Sequence, residues 1–176
     1  MKALKIIGIV LASIIALVLI VALFVPKKFT YEKTIAINAP IDSVWSNTAT
    51  LAAMDKWSPW NDHDPNMKKE YSGVDGTIGA KQSWDGKVVG IGSQTITSVQ
   101  KPTLFETSLD FITPHESHGK GYVKLVADGK TTKATWGISG GMPYPFNIMI
   151  LFMNMEKQMG KDWDLGLSRL KKMSEK

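Results

Sequence analysis

The stretch LFETSLDFI (residues 104–112) alternates along its whole length. Phe105, Thr107, Leu109 and Phe111 fall on one side of an extended chain, and Glu106, Ser108 and Asp110 fall on the other. Successive side chains of a strand point to opposite faces. The segment therefore predicts a sheet buried on one side and wet on the other, as an antiparallel sheet can be. The fold turns on what flanks this strand and what covers its buried face.

Strand signals surround it. Runs rich in β-formers near 67–73, 78–84, 87–99, 119–127 and 131–139 are separated by turn residues. Asp85-Gly86 and Asp128-Gly129 are hairpin dipeptides, whereas Lys101-Pro102 and Thr113-Pro114 mark looser breaks. Upstream, FTYEKTIAIN (29–38) alternates as a further strand. APIDSVWSNTATLAAMDKW (39–57) follows, with Pro40 near a helix start and Val44, Trp45, Thr48 and Leu51 at helical spacing, which predicts two short helices. The cover for the sheet comes last. From Pro145 to about Ser174, Ile148, Phe152, Met155, Met159, Trp163, Leu167 and Leu170 recur every three or four residues, the mark of one long amphipathic helix. The predicted class is α+β, a curved antiparallel sheet wrapped around a long C-terminal helix.

The first 25 residues stand apart from this domain. After a basic tail (1–5) carrying Lys2 and Lys5, an uncharged run spans residues 6–25, ended by Pro26, Lys27 and Lys28. As a helix it is roughly 30 Å long, enough to cross a bilayer. A cleaved signal sequence is the competing reading, but its apolar core is usually shorter and ends at small residues. Here the run ends Ala22-Leu23-Phe24-Val25, and the chain contains no cysteine that could form a lipid-modified cleavage site. The expected organisation is one transmembrane helix (6–25), a linker (26–28) and a domain (29–176). The short basic tail favours a cell-membrane protein with its domain outside the cytoplasm. A linker this short reaches only about 10 Å, which holds the domain near the headgroups.

The net charge of +5 comes mostly from lysine, with Arg169 the only arginine. Base readout and bidentate phosphate clamps favour arginine, so nucleic acid is not an expected partner. Lysines beside a membrane more readily meet anionic headgroups. Nothing in the sequence specifies an oligomeric state.

The order of elements resembles the helix-grip fold of the SRPBCC (START-like) superfamily, over roughly residues 29–174. Local motifs carry the likeness further: INAPIDSVWS resembles the superfamily's first strand-to-helix entry. WSPW followed by DP, then VGIGSQTIT, LDFITP and MGKDWDLGLSRLKK, resemble its bacterial polyketide cyclase/dehydrase-like branch. The resemblance implies a cavity between sheet and C-terminal helix that takes apolar small molecules or lipids. It does not imply catalysis, since much of the superfamily only binds or carries ligands.

KWSPWNDHDP (56–65) invites a metal or catalytic reading. Asp62-x-Asp64-x-Asn66 begins like a calcium loop, but Met67 stands where the turn glycine belongs and Gly73 where the bidentate glutamate belongs. His63 between two carboxylates has no neighbouring His or Cys pair to complete four zinc ligands, and His115 and His118, three apart in a turn, would meet it only by tertiary accident. No Ser-His-Asp order or nucleophile elbow occurs. Neither a metal, nor a cofactor, nor a catalytic residue is expected. What distinguishes the chain is six tryptophans, with six of its nine methionines between Met142 and Met173. Such side chains pack against varied apolar ligands. The residues expected at a ligand are Trp57, Trp60, Trp84, Phe105, Leu109, Phe111, Trp136, Met142, Phe152, Met155 and Met159. Trp163 reads as core. IMILFM (148–153) is apolar on every side, which suits burial, a cavity mouth, a partner or lipid. Three functions stay open: binding or carriage of a hydrophobic molecule; an enzyme on a polycyclic or aromatic substrate using Asp or His from 55–64; and a tethered interaction or stress protein whose cavity its own side chains fill.

Overall fold

The structure, a computed structural model, describes residues 2–176. The chain divides into two compact units, one made of residues 2–29 with 140–154 and the other of residues 30–139 with 155–176. In chain order the elements are α1 (Lys2–Phe24), β1 (Lys28–Ile37), α2 (Ile41–Ser46), α3 (Leu51–Asp55), α4 (Trp60–His63), β2 (Lys68–Ser72), β3 (Lys81–Gly86), β4 (Gly90–Gln100), β5 (Leu104–Phe111), β6 (Ser117–Asp128), β7 (Thr131–Gly141), a 3₁₀ helix (Phe146–Phe152) and α5 (Met155–Ser174). The strands form one antiparallel sheet in the order β1-β7-β6-β5-β4-β3-β2. A register shift between Ile96 and Ser98 interrupts the β4–β5 ladder, and such a bulge bends the strand that carries it.

Three expectations are corrected. The segment after β1 holds three short helices, the third lying inside the WSPWNDHDP stretch. Asp85-Gly86 ends β3 instead of making the turn; the chain reverses over residues 87–89, with φ +77° at Gly90. Asp64 takes part in that reversal by accepting the Val88 amide at 2.8 Å. The C-terminal helix begins at Met155, not near Pro145, because Met153 is extended and separates it from the 3₁₀ helix. The apolar spacing runs through the break, so periodicity alone does not reveal it.

A buried asparagine organises the unit of residues 2–29 and 140–154. Asn147 Nδ2 donates to the carbonyls of Ala22 (2.7 Å) and Val25 (2.8 Å) at the end of α1. Those carbonyls lack partners within the helix, and a side-chain donor there satisfies them. Met142 N donates to Lys27 O in the same unit (2.9 Å). Lys2 and Lys5, expected as a separate tail, lie in the first turn of α1. The apolar side chains of α1 are nearly all exposed, as are Phe146, Met149, Leu151 and Phe152 of the 3₁₀ helix.

The other unit holds the sheet and α5. Gly160, Trp163, Gly166, Leu167 and Leu170 make the buried stripe of the helix. Gly166 permits the close approach: a Cβ there would stand 2.7 Å from the Trp136 ring. The core beneath includes Ile37, Val44, Leu51, Ile96, Phe105, Val123, Leu125 and Ala134. Lys33 on β1 adds a polar clasp, reaching Glu156 and Asp164 of α5 at 2.8 Å each. Tyr31 Oη donates to the other oxygen of Glu156 (2.5 Å), and Lys33 with Tyr31 holds this carboxyl below the usual range.

Gly166→Ala is expected to cost about 1–3 kcal/mol, because the added methyl overpacks the Trp136 contact. Urea unfolding of the detergent-solubilised protein measures it, with Ser168→Ala on the exposed face expected within about 0.5 kcal/mol of wild type.

Candidate functional site

Along each central strand the inner face changes character. On β5, Phe105 belongs to the core, while Thr107, Leu109 and Phe111 line a cavity. On β6, Val123 and Leu125 are core and Gly121 lines the cavity; on β7, Ala134 is core and Ile138 lines the cavity. Trp136 does both. Together these inner-face residues border a space of about 470 Å³, within the size range of small-molecule sites.

Aromatic rings form its wall. Trp136 stacks on Trp163 with centroids 4.3 Å apart and planes at 15°. Trp57 meets Trp136 edge-on at 4.9 Å, and Trp60 meets Trp163 edge-on at 6.2 Å. The buried indole nitrogens are satisfied: Trp163 Nε1 donates to Trp136 O (3.0 Å) and Trp57 Nε1 to Asn47 O (2.9 Å). At the other side Trp84 packs against Phe111 at 5.8 Å, in room made by Gly92, where a Cβ would come within 2.5 Å of the indole.

Of the residues expected at a ligand, Trp57, Trp60, Trp84, Leu109, Phe111, Trp136 and Met159 line this cavity. Phe105 is buried in the core beneath it. Met142 and Phe152 belong to the other compact unit, and Met155, at the start of α5, is not part of the lining. Trp163, expected as core, contributes both to the core and to the cavity.

The polar part of the lining includes Asp55, Lys69, Gln82, Gln94 and Thr107, of which sequence reasoning missed Lys69, Gln82 and Gln94 and named Asp55 only among the 55–64 acids of the enzyme reading. Lys69 Nζ binds both Asp55 Oδ1 and Asn61 Oδ1. Tyr71 Oη lies 3.2 Å from Asp55 Oδ2, Gln82 Nε2 lies 2.7 Å from Tyr71 Oη, and Gln94 Nε2 lies 2.5 Å from Gln82 Oε1. Burial, then the Asp55 charge, pushes the Tyr71 phenol up to about 12. The available signal was parity: Gln82 shares a face with Trp84, and Gln94 with Ile96, so both amides occupy inner-face positions.

The acids and histidine of 55–64 all have partners. Asp55 pairs with Lys69, and Arg169 Nη2 donates to Asp62 Oδ2 at 2.6 Å. His63 Nε2 meets Asp162 Oδ1 at 2.8 Å, and Asp64 accepts from Val88. Two of these contacts, with the Trp60–Trp163 packing, tie the α4 segment to α5. Among the described residues no group of three or more His, Cys, Asp or Glu is placed to hold a metal ion.

A curved sheet, a C-terminal helix and a cavity lined from both define the helix-grip class. Residues 28–175 match the family described as polyketide cyclase / dehydrase and lipid transport, and the chain belongs to that family. Solved structures share the fold. A protein of Thermobifida fusca superposes with a TM-score of 0.62 at 14% identity, covering 82% of this chain and 92% of that one. One from Rhizobium loti gives 0.60 at 16% identity, covering 83% and 96%. One from Chromobacterium violaceum gives 0.59 at 13% identity, covering 84% and 97%. No curated protein matches the chain. Family and fold together support binding of hydrophobic ligands in general.

The Tyr71 shift has a pH signature. A phenol with a folded pKa of about 12, above its unfolded value near 10, holds its proton more tightly in the native state. Its contribution to stability is complete below pH 10 and is lost as the pH rises through 12. Tyr71→Phe should therefore flatten the alkaline limb of the stability profile and remove one phenolate from the 295 nm absorbance step near pH 12.

Proposed function

We propose that the protein binds or carries a hydrophobic small molecule or lipid, without catalysis, and does so while anchored in the cell membrane by α1. The observation that carries this reading is the open cavity of about 470 Å³ walled by Trp57, Trp60, Trp84, Trp136 and Trp163. An interior filled by its own side chains would have favoured an interaction protein. The engagement of Asp55, Asp62, His63 and Asp64 with protein partners favours binding over proton transfer.

Support for the anchor comes from α1, 23 residues long and apolar enough to cross a membrane. Only residues 25–27 separate it from β1. The 3₁₀ helix tied to the end of α1 through Asn147 carries exposed Phe146, Met149, Leu151 and Phe152, side chains suited to the lipid interface. Lys2 and Lys5 before the apolar run favour a domain on the extracytoplasmic side. A lipid ligand would then pass between bilayer and cavity with little diffusion through water.

Native mass spectrometry after gentle extraction tests the binding reading. A co-purified hydrophobic molecule is expected on the wild-type protein. Leu109→Trp, which fills the cavity, should lower its occupancy at least tenfold. A clean unliganded mass, or unchanged occupancy in Leu109→Trp, overturns the reading. Alkaline carbonate extraction tests the anchor: the full chain is expected in the membrane pellet, and full release would refute it.

A further inference from the structure

The polar contacts beside the cavity have a direction. Tyr71 on β2 faces Gln82 on β3, and Gln82 faces Gln94 on β4, each as cross-strand partners. The Asp55 carboxylate only accepts, so the Tyr71 hydroxyl must donate to it. The Tyr71 oxygen is then the acceptor for Gln82 Nε2. That orients the Gln82 amide with Oε1 toward Gln94, whose Nε2 donates to it. The sequence of bonds ends with Gln94 Oε1, an acceptor on a cavity-lining residue with no partner among the described residues. A charge at one end thus decides which atom is offered at the other, and chained hydrogen bonds of this kind polarise one another.

The charges near the cavity are already matched. Its ionisable lining residues are Asp55, His63 and Lys69. Lys69 is held by Asp55 and Asn61, and His63 by Asp162. A carboxylate or phosphate head would approach a carbonyl oxygen with no free cation beside it. An ammonium would lose its hydration without gaining a free carboxylate, and an unpaired buried charge is costly. A neutral hydroxyl fits: it donates to Gln94 Oε1 and can accept the second Nε2 hydrogen or the hydroxyl of Thr107, which also lines the cavity. The rings and aliphatic side chains around it take the apolar body.

We propose that the cavity is selective for a neutral, hydroxyl-bearing amphiphile, a lipid alcohol, and that Gln94 Oε1 is the acceptor that recognises its hydroxyl. This deepens the binding reading above and rests on it. A ligand without a donor leaves that oxygen desolvated and unpaired, a loss that reaches tenfold or more in affinity.

The test uses the full chain in detergent, titrated separately with 1-tetradecanol, methyl tetradecyl ether and tetradecanoic acid, with occupancy read by native mass spectrometry. Wild type is expected to bind the alcohol at least tenfold more tightly than the ether, and the acid no more tightly than the ether. Gln94→Met should bring the alcohol down to the ether while leaving ether binding intact. Equal binding of alcohol and ether, tightest binding of the acid, or an alcohol preference that survives Gln94→Met overturns the proposal and leaves general hydrophobic binding standing. Failure of all three probes to bind wild type refutes the binding reading, and this inference with it. Should Gln94→Met also lose the ether, Tyr71→Phe takes its place, since it cuts the chain of bonds but leaves Gln94 intact. A reduced alcohol advantage supports the proposal, and an unchanged one sinks it.

Discussion

The stack of Trp136 on Trp163 is the contact on which the rest of this domain depends. It joins the β7 strand to α5 through two large planar faces, and the Trp163 indole closes the joint by donating to the Trp136 carbonyl. The joint needs Gly166, since any larger residue meets the Trp136 ring. Trp57, Trp60 and Tyr31 then pack edge-on against the pair, the arrangement that ring quadrupoles favour. The stack also marks a boundary. Beyond it toward Phe105, Val123 and Leu125 the interior is solid, and toward Gly121, Leu109 and Phe111 it is open.

That boundary explains how one sheet provides both stability and a site. A uniformly large inner face would fill the space under the helix, and a uniformly small one would not hold the helix. On β6 the inner face steps down from Leu125 and Val123 in the core to Gly121 at the cavity. The α4 segment is tied over this region by the Asp62–Arg169 and His63–Asp162 contacts. These pairs are partly exposed, and such pairs contribute modestly to stability. Their value lies in holding Trp60 against Trp163.

The polar row of Asp55, Tyr71, Gln82 and Gln94 runs beside a mostly apolar cavity, which Asp55, Gln82 and Gln94 line. A buried amide costs free energy unless bonded: Gln82 is bonded through both its nitrogen and its oxygen, and Gln94 through its nitrogen. Tyr71, Gln82 and Gln94 sit on three adjacent strands as cross-strand partners, so the sheet itself sets their spacing, and Asp55 meets them from the end of α3. A ligand site that combines an apolar body pocket with one oriented acceptor can discriminate by hydrogen bonding where shape alone could not.

By itself, the sequence determined the elements whose signal is local. Alternation in 104–112 specifies a half-buried strand, because side-chain direction in a strand depends only on parity. The apolar run ending at Val25 specifies a membrane-length helix, because length and hydropathy suffice. The spacing of Trp163, Leu167 and Leu170 marks the helix that covers the sheet. Where signals overlapped, local reading failed: the apolar period crosses from the 3₁₀ helix into α5, so the break at Met153 was not legible. Only the tertiary structure decided which inner-face residues meet core and which meet open space. Phe105 and Leu109 look alike in the strand pattern, yet one is core and the other lines the cavity. Their difference arises from register and from neighbours such as Gly121, which lies beyond the next turn. The same holds for His63 and Asp162, 99 residues apart, and for Gln82 and Gln94 on paired strands. Contacts of that range are set by how strands and helix pack, and no spacing along the chain encodes them.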